Sequence, residues 1–256
     1  MLQTNLDENS NIQIKPLGDS AILVQFGSVI NREVHLKVKA FTDEMEAHSF
    51  AGFIECVPAF TSVTIFYNPV HVYEKYKKQG EYVHLSEKEQ SPYSIVYSII
   101  KEKLKELKEV KEVKHRVVDI PVCYGGEFGP DLEAVAEYHH LSAMEVIQIH
   151  SKSEYLVYII GFAPGFPYLG GMSEKIATPR HHSPRLSIPS GSVGIAGMQT
   201  GVYPISTPGG WQIIGRTPVD LFYPKENPPS LLRSGDIVKF KPISLEEYKR
   251  HKEKIL

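Results

Sequence analysis

The chain has 256 residues, which is enough for one large domain or two small ones, since about 150 residues per domain is typical. Hydrophobic residues make up 42% and charged residues 23% of the chain, as in ordinary globular proteins. The formal net charge of −2 argues against a dedicated nucleic-acid binder, which carries a surplus of lysine and arginine. The same balance leaves no polybasic segment for binding to a membrane surface.

The lack of targeting signals predicts a cytoplasmic protein. Met1–Asn11 is polar and carries Asp7 and Glu8 where a signal peptide has basic residues. No apolar run approaches the ~18 residues needed to cross a bilayer. The two cysteines, Cys56 and Cys123, are too few for a disulfide framework, so we expect both to be structural thiols.

The N-terminal part alternates strand-like and helix-like patterns in the order β-α-β-β-α-β. Its helices are expected to begin after Asn31 and at Ser91, where capping residues precede apolar residues at helical spacing. This order is typical of a ferredoxin-like α/β sandwich. The predicted strands are Ser20–Phe26, Phe53–Val57, Ser62–Tyr67 and His115–Val122.

Two charged stretches interrupt this pattern. Tyr73–Gln90 has no clear periodicity, and we expect it to form an exposed loop. In the run KEKLKELKEVKEVKHR, from Lys101, glutamates alternate with lysines at spacings of three and four. That spacing predicts a solvated helix face rather than a nucleic-acid site.

The C-terminal part begins with helical signals and then becomes rich in turns. Leu132 opens one predicted helix, and Ser142 and Glu145 form a capping box for another. Short strands punctuated by glycine and proline then predict a small β-barrel. We therefore assign the chain to the α+β class, with domains 1–112 and 113–256. The barrel strands are predicted at Tyr155–Ile160, Val193–Ala196, Val202–Ile205, Trp211–Ile214 and Ile237–Phe240.

Familiar catalytic motifs are absent from the sequence. It has no phosphate-binding loop, no H-E-x-x-H zinc motif, no C-x-x-C pair and no G-x-S-x-G elbow. The adjacent histidines His139–His140 and His181–His182 do not form a chelating pair, because neighbouring side chains point in different directions. We therefore predict no metal site built by this chain.

The segment 161–216 is unusual because it is long, apolar, rich in glycine and nearly free of charge. Its arginines Arg180, Arg185 and Arg216 suit a carboxylate or phosphate, which a guanidinium binds through two parallel N–H donors. Its aromatic residues would line a pocket. The alternative is that the arginines brace turns and the aromatic residues fill the barrel core.

Several passages together resemble the family that contains the B subunit of 5-oxoprolinase, allophanate hydrolase subunit 1 and the KipI inhibitor of a sporulation histidine kinase. The similarity extends from about Lys15 to Lys241. The passages that carry it are KPLGDSAILVQFG, ECVPAFTSVTIFYNP, PVCYGGEFGPDLEAVA, GFAPGFPYLGG and SPRLSIPSGSVGIAGMQTGVYPISTPGGWQIIGRTP.

This resemblance implies a ferredoxin-like domain followed by a cyclophilin-like barrel of the carboxyltransferase type. It also implies a 5-oxoprolinase complex with two partners, the KipA-like C subunit and the A subunit, in which ATP with magnesium is used to open 5-oxoproline to glutamate. The isolated chain would then be inactive and would bind no cofactor tightly. The alternatives are inhibition of a histidine kinase and a role in allophanate hydrolysis.

Residue roles follow from placing this chemistry on the sequence. We expect Glu127 and Asp131 to hold a metal ion or to act as a base, and His150 to act as an acid or base. Each has a structural alternative: a turn for Glu127, a helix N-cap for Asp131 and a helix C-terminal contact for His150. The predicted substrate and phosphate ligands are Arg180, Arg185, Arg216, Gln199, Thr200 and Tyr203. The predicted pocket or interface residues are Phe166, Tyr168, Leu169, Met172 and Trp211. We expect some of the first four to be exposed in the isolated chain and covered by the C subunit.

Overall fold

The structure is a computed structural model that describes residues 12–79, 91–107 and 115–253. The chain divides into two compact units, Met1–Val113 and Lys114–Leu256. Each unit has its own buried hydrophobic core. No helix within the described ranges has both the length and the apolar character that crossing a membrane requires.

The first unit is an antiparallel sheet with helices. The strands lie in the order β1-β2-β4-β3. The elements are β1 (Gln13–Pro16), β2 (Ala21–Gln25), α1 (Arg32–Ala47), β3 (Phe53–Pro58), β4 (Ser62–Tyr67), α2 (Pro69–Gln79) and α3 (Pro92–Glu106).

Local sequence signals position the helices of this unit. The Asn31 side chain accepts a hydrogen bond from the Val34 N–H and caps α1, as predicted. Ser91 caps α3 in the same way, and Pro92 occupies its first turn. The apolar faces of both helices are buried in one core with the strands. Burial of these faces stabilises the unit far more than helix propensity does.

The sheet departs from the predicted order at one edge. Strand β4 lies between β2 and β3, and α1 connects β2 to β3 along the chain. The predicted fourth strand, His115–Val122, does not join this sheet. The edge next to β2 is occupied by β1, which precedes it in the chain. The alternating pattern predicted a strand correctly but carried no information about its partner.

The prediction of a loop over Tyr73–Gln90 was wrong for its first residues. Helix α2 extends to Gln79, and residues 80–90 lie outside the described residues. The Asn68 side chain accepts a hydrogen bond from the His71 N–H at the start of this helix, and Val72 is fully buried. The helix has few apolar residues, so its periodicity was too weak to reveal it.

The second unit contains a closed seven-stranded barrel and a two-stranded ribbon. Its elements are β5 (Val117–Tyr124), α4 (Leu132–Tyr138), α5 (Ala143–Lys152), β6 (Tyr155–Ile160), β7 (Pro167–Gly170), β8 (Arg185–Ile188), β9 (Ser192–Ala196), β10 (Gln199–Val202), β11 (Thr207–Gly209), β12 (Gln212–Arg216), β13 (Ile237–Pro242) and α6 (Leu245–Glu253). The barrel order is β10-β7-β6-β13-β5-β12-β9, and β8 pairs with β11 in the ribbon.

The barrel closes through a long-range pairing. Strands β5 and β13 run parallel, whereas the other neighbouring pairs are antiparallel. The predicted strand His115–Val122 therefore belongs here. The predicted capping box of Ser142 and Glu145 is present at the start of α5. The strand predicted at Val202–Ile205 is shifted, since β10 ends at Val202 and Ile205 is exposed.

Candidate functional site

An open cleft of about 320 Å³ lies beside the ribbon of the second unit. Its walls come from the β6–β7 turn, the segment before β8, and β11 with the residues that follow it. This volume is near the lower end for small-molecule sites. The cleft is lined by Phe162, Phe166, Tyr168, Arg180, Pro184, Tyr203, Pro208, Gly209, Gly210 and Trp211.

Phe166 is the centre of the aromatic wall. Its ring makes edge-to-face contacts with Tyr203, at 5.4 Å between centroids, and with Trp211, at 5.6 Å. Tyr168 and Phe162 contact it in the same manner. Such contacts favour one arrangement of the rings. The wall is therefore a pre-formed apolar surface.

Phe162 lies at the mouth of the cleft in a strained conformation. Its φ angle is 70°, in the left-handed region that bulky residues rarely adopt. Its side chain is also 67% exposed, although it is aromatic. Strain of this kind costs of order 1–3 kcal/mol and concentrates at functional sites. Phe162 is one of the aromatic residues of segment 161–216 that we expect to line a pocket, but its strained backbone was not apparent from the sequence.

Gly209 and Gly210 provide a matched test of how the cleft is packed. A Cβ at Gly209 would lie 2.5 Å from Tyr203 Oη and 2.7 Å from Ile188 Cδ1, whereas at Gly210 the nearest atom is 3.6 Å away. We expect Gly209→Ala to lower the free energy of unfolding by about 1–3 kcal/mol through overpacking. Gly210→Ala should stay within about 0.5 kcal/mol of the native protein. Urea unfolding checks both, and equal losses would contradict this packing.

Arg180 is the charged residue among those that line the cleft. Its guanidinium carbon lies 5.9 Å from the centroid of the Trp211 ring, within range for a cation–π contact. Across the described residues, no carboxylate forms an ion pair with Arg180. Burial raises the pKa of Tyr203 to about 12, although the positive charge of Arg180 opposes this shift. The Tyr203 hydroxyl therefore remains protonated.

The guanidinium of Arg185 binds a buried carboxylate. Its two terminal nitrogens donate to the two oxygens of Asp131, at 2.9 and 2.6 Å. The Ile213 N–H donates to the same carboxylate at 2.6 Å. Burial by itself raises the pKa of Asp131, but its hydrogen bonds outweigh burial and the pKa is lowered, chiefly through Arg185. This pair joins the segment before α4 to the strands around the cleft.

Arg216 is also engaged within the barrel unit. Its guanidinium lies 5.1 Å from the centroid of the Phe128 ring, which in turn packs on Tyr248 of α6. Burial raises the pKa of Tyr248, and the nearby positive charge of Arg216 opposes the shift. Neither Arg185 nor Arg216 lines the cleft. Of the three arginines predicted as anion ligands, the structure places only Arg180 in the cleft, together with the predicted ligand Tyr203.

His150 belongs to a buried hydrogen-bond network. Its Nδ1 and Nε2 lie 2.8 Å from the Tyr124 hydroxyl and 2.9 Å from the Thr200 hydroxyl. Thr200 donates its own hydrogen to the Gly194 carbonyl, so it accepts from Nε2–H, and Nδ1 accepts from Tyr124. Burial lowers the pKa of His150 to about 3. The ring is therefore neutral and both of its nitrogens are used, which favours a structural role over the predicted acid–base role.

Known proteins that resemble this chain show the family to which it belongs. Residues 12–232 match the model of the carboxyltransferase domain, subdomain C and D. The chain belongs to this family. It is 58% identical over 241 residues to the B subunit of 5-oxoprolinase from Bacillus subtilis (strain 168), and the match covers 94% of this chain and 97% of that protein.

Solved structures extend the comparison. The conserved uncharacterized protein PH0987 from Pyrococcus horikoshii is 46% identical, with a TM-score of 0.52, and the match covers 92% of this chain and 99% of that one. TTHA0988 is 31% identical, with a TM-score of 0.72, over 88% of this chain and 40% of that one. In TTHA0988 the similar region is thus part of a longer chain.

Glu127, Asp131 and Gln199, which were also predicted as site residues, do not lie together in this carboxyltransferase-family chain. Glu127 is exposed in the turn after β5, and Gln199 is half-buried at the start of β10, outside the cleft lining. Asp131 occupies the N-cap position of α4, but its side chain binds Arg185 instead of capping the helix. Among the described residues, no group of three or more His, Cys, Asp or Glu side chains is arranged to hold a metal ion. These residues do not fit magnesium.

The predicted exposure of the interface residues was largely wrong. Phe166, Leu169 and Met172 are at most 5% exposed, because they pack in the hydrophobic cores of this unit. Tyr168 is half-buried, and Trp211 is buried at the base of the aromatic wall. The exposed apolar side chain nearest to them in sequence is Phe162, at 67% exposure, and Leu186 on β8 is 92% exposed. Composition alone did not separate the barrel core from the surface.

Proposed function

We propose that this chain is the B component of an ATP-dependent 5-oxoprolinase complex that opens 5-oxo-L-proline to L-glutamate. The observation that carries the proposal is the 58% identity, over nearly the whole of both chains, to the B subunit of Bacillus subtilis 5-oxoprolinase. The cleft supports it, because its apolar wall and single cation suit a small ring that bears one negative charge.

The proposed reaction needs activation of an unreactive amide. The lactam of 5-oxoproline is stabilised by resonance, so water attacks its carbonyl slowly. Transfer of the terminal phosphoryl group of ATP to the amide oxygen forms a P–O bond, releases ADP and makes the ring carbon electrophilic. Water then adds to that carbon, and the C–N bond breaks as the nitrogen takes a proton, which leaves the acyl phosphate of glutamate. A second water cleaves this acyl phosphate to L-glutamate and phosphate. Fixed cations and oriented donors stabilise the charge that develops.

This chain supplies only part of such a site. A nucleoside triphosphate carries several negative charges, whereas the lining of the cleft contains one cation, Arg180. The described residues also contain no cluster suited to a metal ion. We therefore assign the binding of ATP with magnesium to the two partner proteins of the complex, its C and A components. In this division of labour, the chain described here binds and orients the ring.

The test is reconstitution of turnover from the three purified proteins. We expect the chain alone to form no glutamate from 5-oxo-L-proline and ATP, and the mixture with its A and C partners to form it. Glutamate release and ADP formation are measured in parallel, and mixtures that lack one of the three proteins are the controls. Turnover by the isolated chain would overturn the proposed division of labour. The absence of turnover from the complete mixture would overturn the proposed function.

A further inference from the structure

We propose that the cleft is the binding site for the substrate ring, with the carboxylate of 5-oxo-L-proline on Arg180 and the lactam ring against the aromatic wall of Phe166, Tyr203 and Trp211. This inference rests on the proposed function and assigns a site to it. It also excludes the nucleotide from this cleft. The ligand class is a small cyclic monocarboxylate.

The charge of the cleft selects one carboxylate. The charge of Arg185 is neutralised by Asp131, the guanidinium of Arg216 lies over the Phe128 ring, and neither residue lines the cleft. Arg180 remains as the cation at the surface of the cleft, and one guanidinium binds one carboxylate through two parallel donors. A triphosphate would leave most of its charge without a partner.

The contact between Arg180 and Trp211 prepares the guanidinium for this role. A cation–π contact uses the positive charge of the guanidinium, and Arg180 has no ion pair with a carboxylate among the described residues. Its N–H donors therefore remain available to a substrate carboxylate. The contact with Trp211 restricts the side chain, which lowers the entropy lost on binding.

The aromatic wall beneath this cation forms a concave surface against which a small ring can pack. The Phe166 and Trp211 rings meet at 85°, and the Tyr203 and Trp211 rings at 81°, so the wall has a concave rather than a flat surface. All three side chains are at most 5% exposed, which means that their positions are set by the core. A five-membered ring would cover apolar surface here without rearranging the barrel.

Trp211 gives a direct readout, since it is the sole tryptophan of the chain. We expect 5-oxo-L-proline to change the fluorescence of the full chain saturably. The ring without the carboxylate, 2-pyrrolidinone, should bind at least tenfold more weakly, and ATP should not compete. Arg180→Gln should weaken binding at least tenfold. Arg180→Lys keeps the charge but loses the paired donors, so its affinity for 5-oxo-L-proline should lie between those of the native chain and Arg180→Gln. The control is Arg250→Gln, on the exposed face of α6, which should bind like the native chain.

Kinetics of the assembled complex separate this proposal from the proposed function. Arg180→Gln should raise the KM for 5-oxo-L-proline at least tenfold and leave the KM for ATP unchanged. An unchanged KM for 5-oxo-L-proline would overturn the cleft assignment while the function stands. A rise in the KM for ATP alone would assign the cleft to the nucleotide and overturn it as well. If the native complex shows no turnover, the proposed function is wrong, and the fluorescence titration alone tests whether the cleft binds 5-oxo-L-proline. The absence of a fluorescence response up to roughly 10 mM, which is tenfold above a millimolar Kd, would overturn the assignment of the cleft.

Discussion

Replacing Asp131 with alanine should lower the free energy of unfolding of the barrel unit by about 3 kcal/mol. The carboxylate is 5% exposed and accepts both arms of Arg185 together with the Ile213 N–H. Its removal leaves a buried backbone donor without a partner and a cation without its counter-charge. Arg185 is 34% exposed, so water compensates part of the loss, and we place the effect at the lower end of the range for buried pairs.

Urea unfolding followed by Trp211 fluorescence measures this effect, because Trp211 lies in the same unit. Glu127→Ala is the matched control: this carboxylate is close in sequence but exposed in a turn, and we expect a change within about 0.5 kcal/mol. Unchanged stability of Asp131→Ala combined with loss of turnover by the complex would contradict the structural role. It would return Asp131 to the catalytic role that its sequence context suggests.

Lowering the pH from about 7 towards 3 should destabilise the barrel unit through His150. Burial lowers the pKa of His150 from 6.5 to about 3 in the folded protein, so the unfolded chain binds a proton in this interval while the folded chain does not. Stability is therefore complete above pH 6.5 and is lost as the pH falls towards 3, with a slope of up to about 1.4 kcal/mol per pH unit. Protonation also makes both ring nitrogens donors, which removes the acceptor for Tyr124.

His150→Phe separates this contribution from other acid-sensitive groups. Phenylalanine keeps the stacking on Phe240, where the centroids are 4.6 Å apart, but leaves the Tyr124 and Thr200 hydroxyls without the ring nitrogens. We expect a loss of about 2 kcal/mol at pH 7 and a shallower dependence on pH. Unfolding midpoints measured from pH 7 to pH 3.5 check both effects. His251→Gln, on exposed α6, should keep the native slope, and equal slopes for the native protein and His150→Phe would contradict the assignment.

The site itself was only partly predictable. The sequence pointed to segment 161–216 because arginines and aromatic residues lie there in an almost uncharged context. Arg180, Tyr203, Phe166 and Trp211 do meet in the cleft. The sequence could not show which arginine stays available for a ligand, because the partner of Arg185 lies 54 residues earlier in the chain. Likewise, nothing local to His150 shows that Thr200, 50 residues later, receives its ring N–H.

Features that depend on neighbouring residues could be derived from the sequence without a structure. The caps at Asn31 and Ser142, the short strands between glycines and prolines, and the family resemblance are all local or linear signals. Features that depend on distant partners required the folded chain. Strand β5 joins the barrel through parallel pairing with β13, about 120 residues later, and the predicted interface residue Leu169 points into the core. The physical reason is that burial and hydrogen-bond pairing depend on which surfaces meet when the chain closes, and a local pattern carries no information about that meeting.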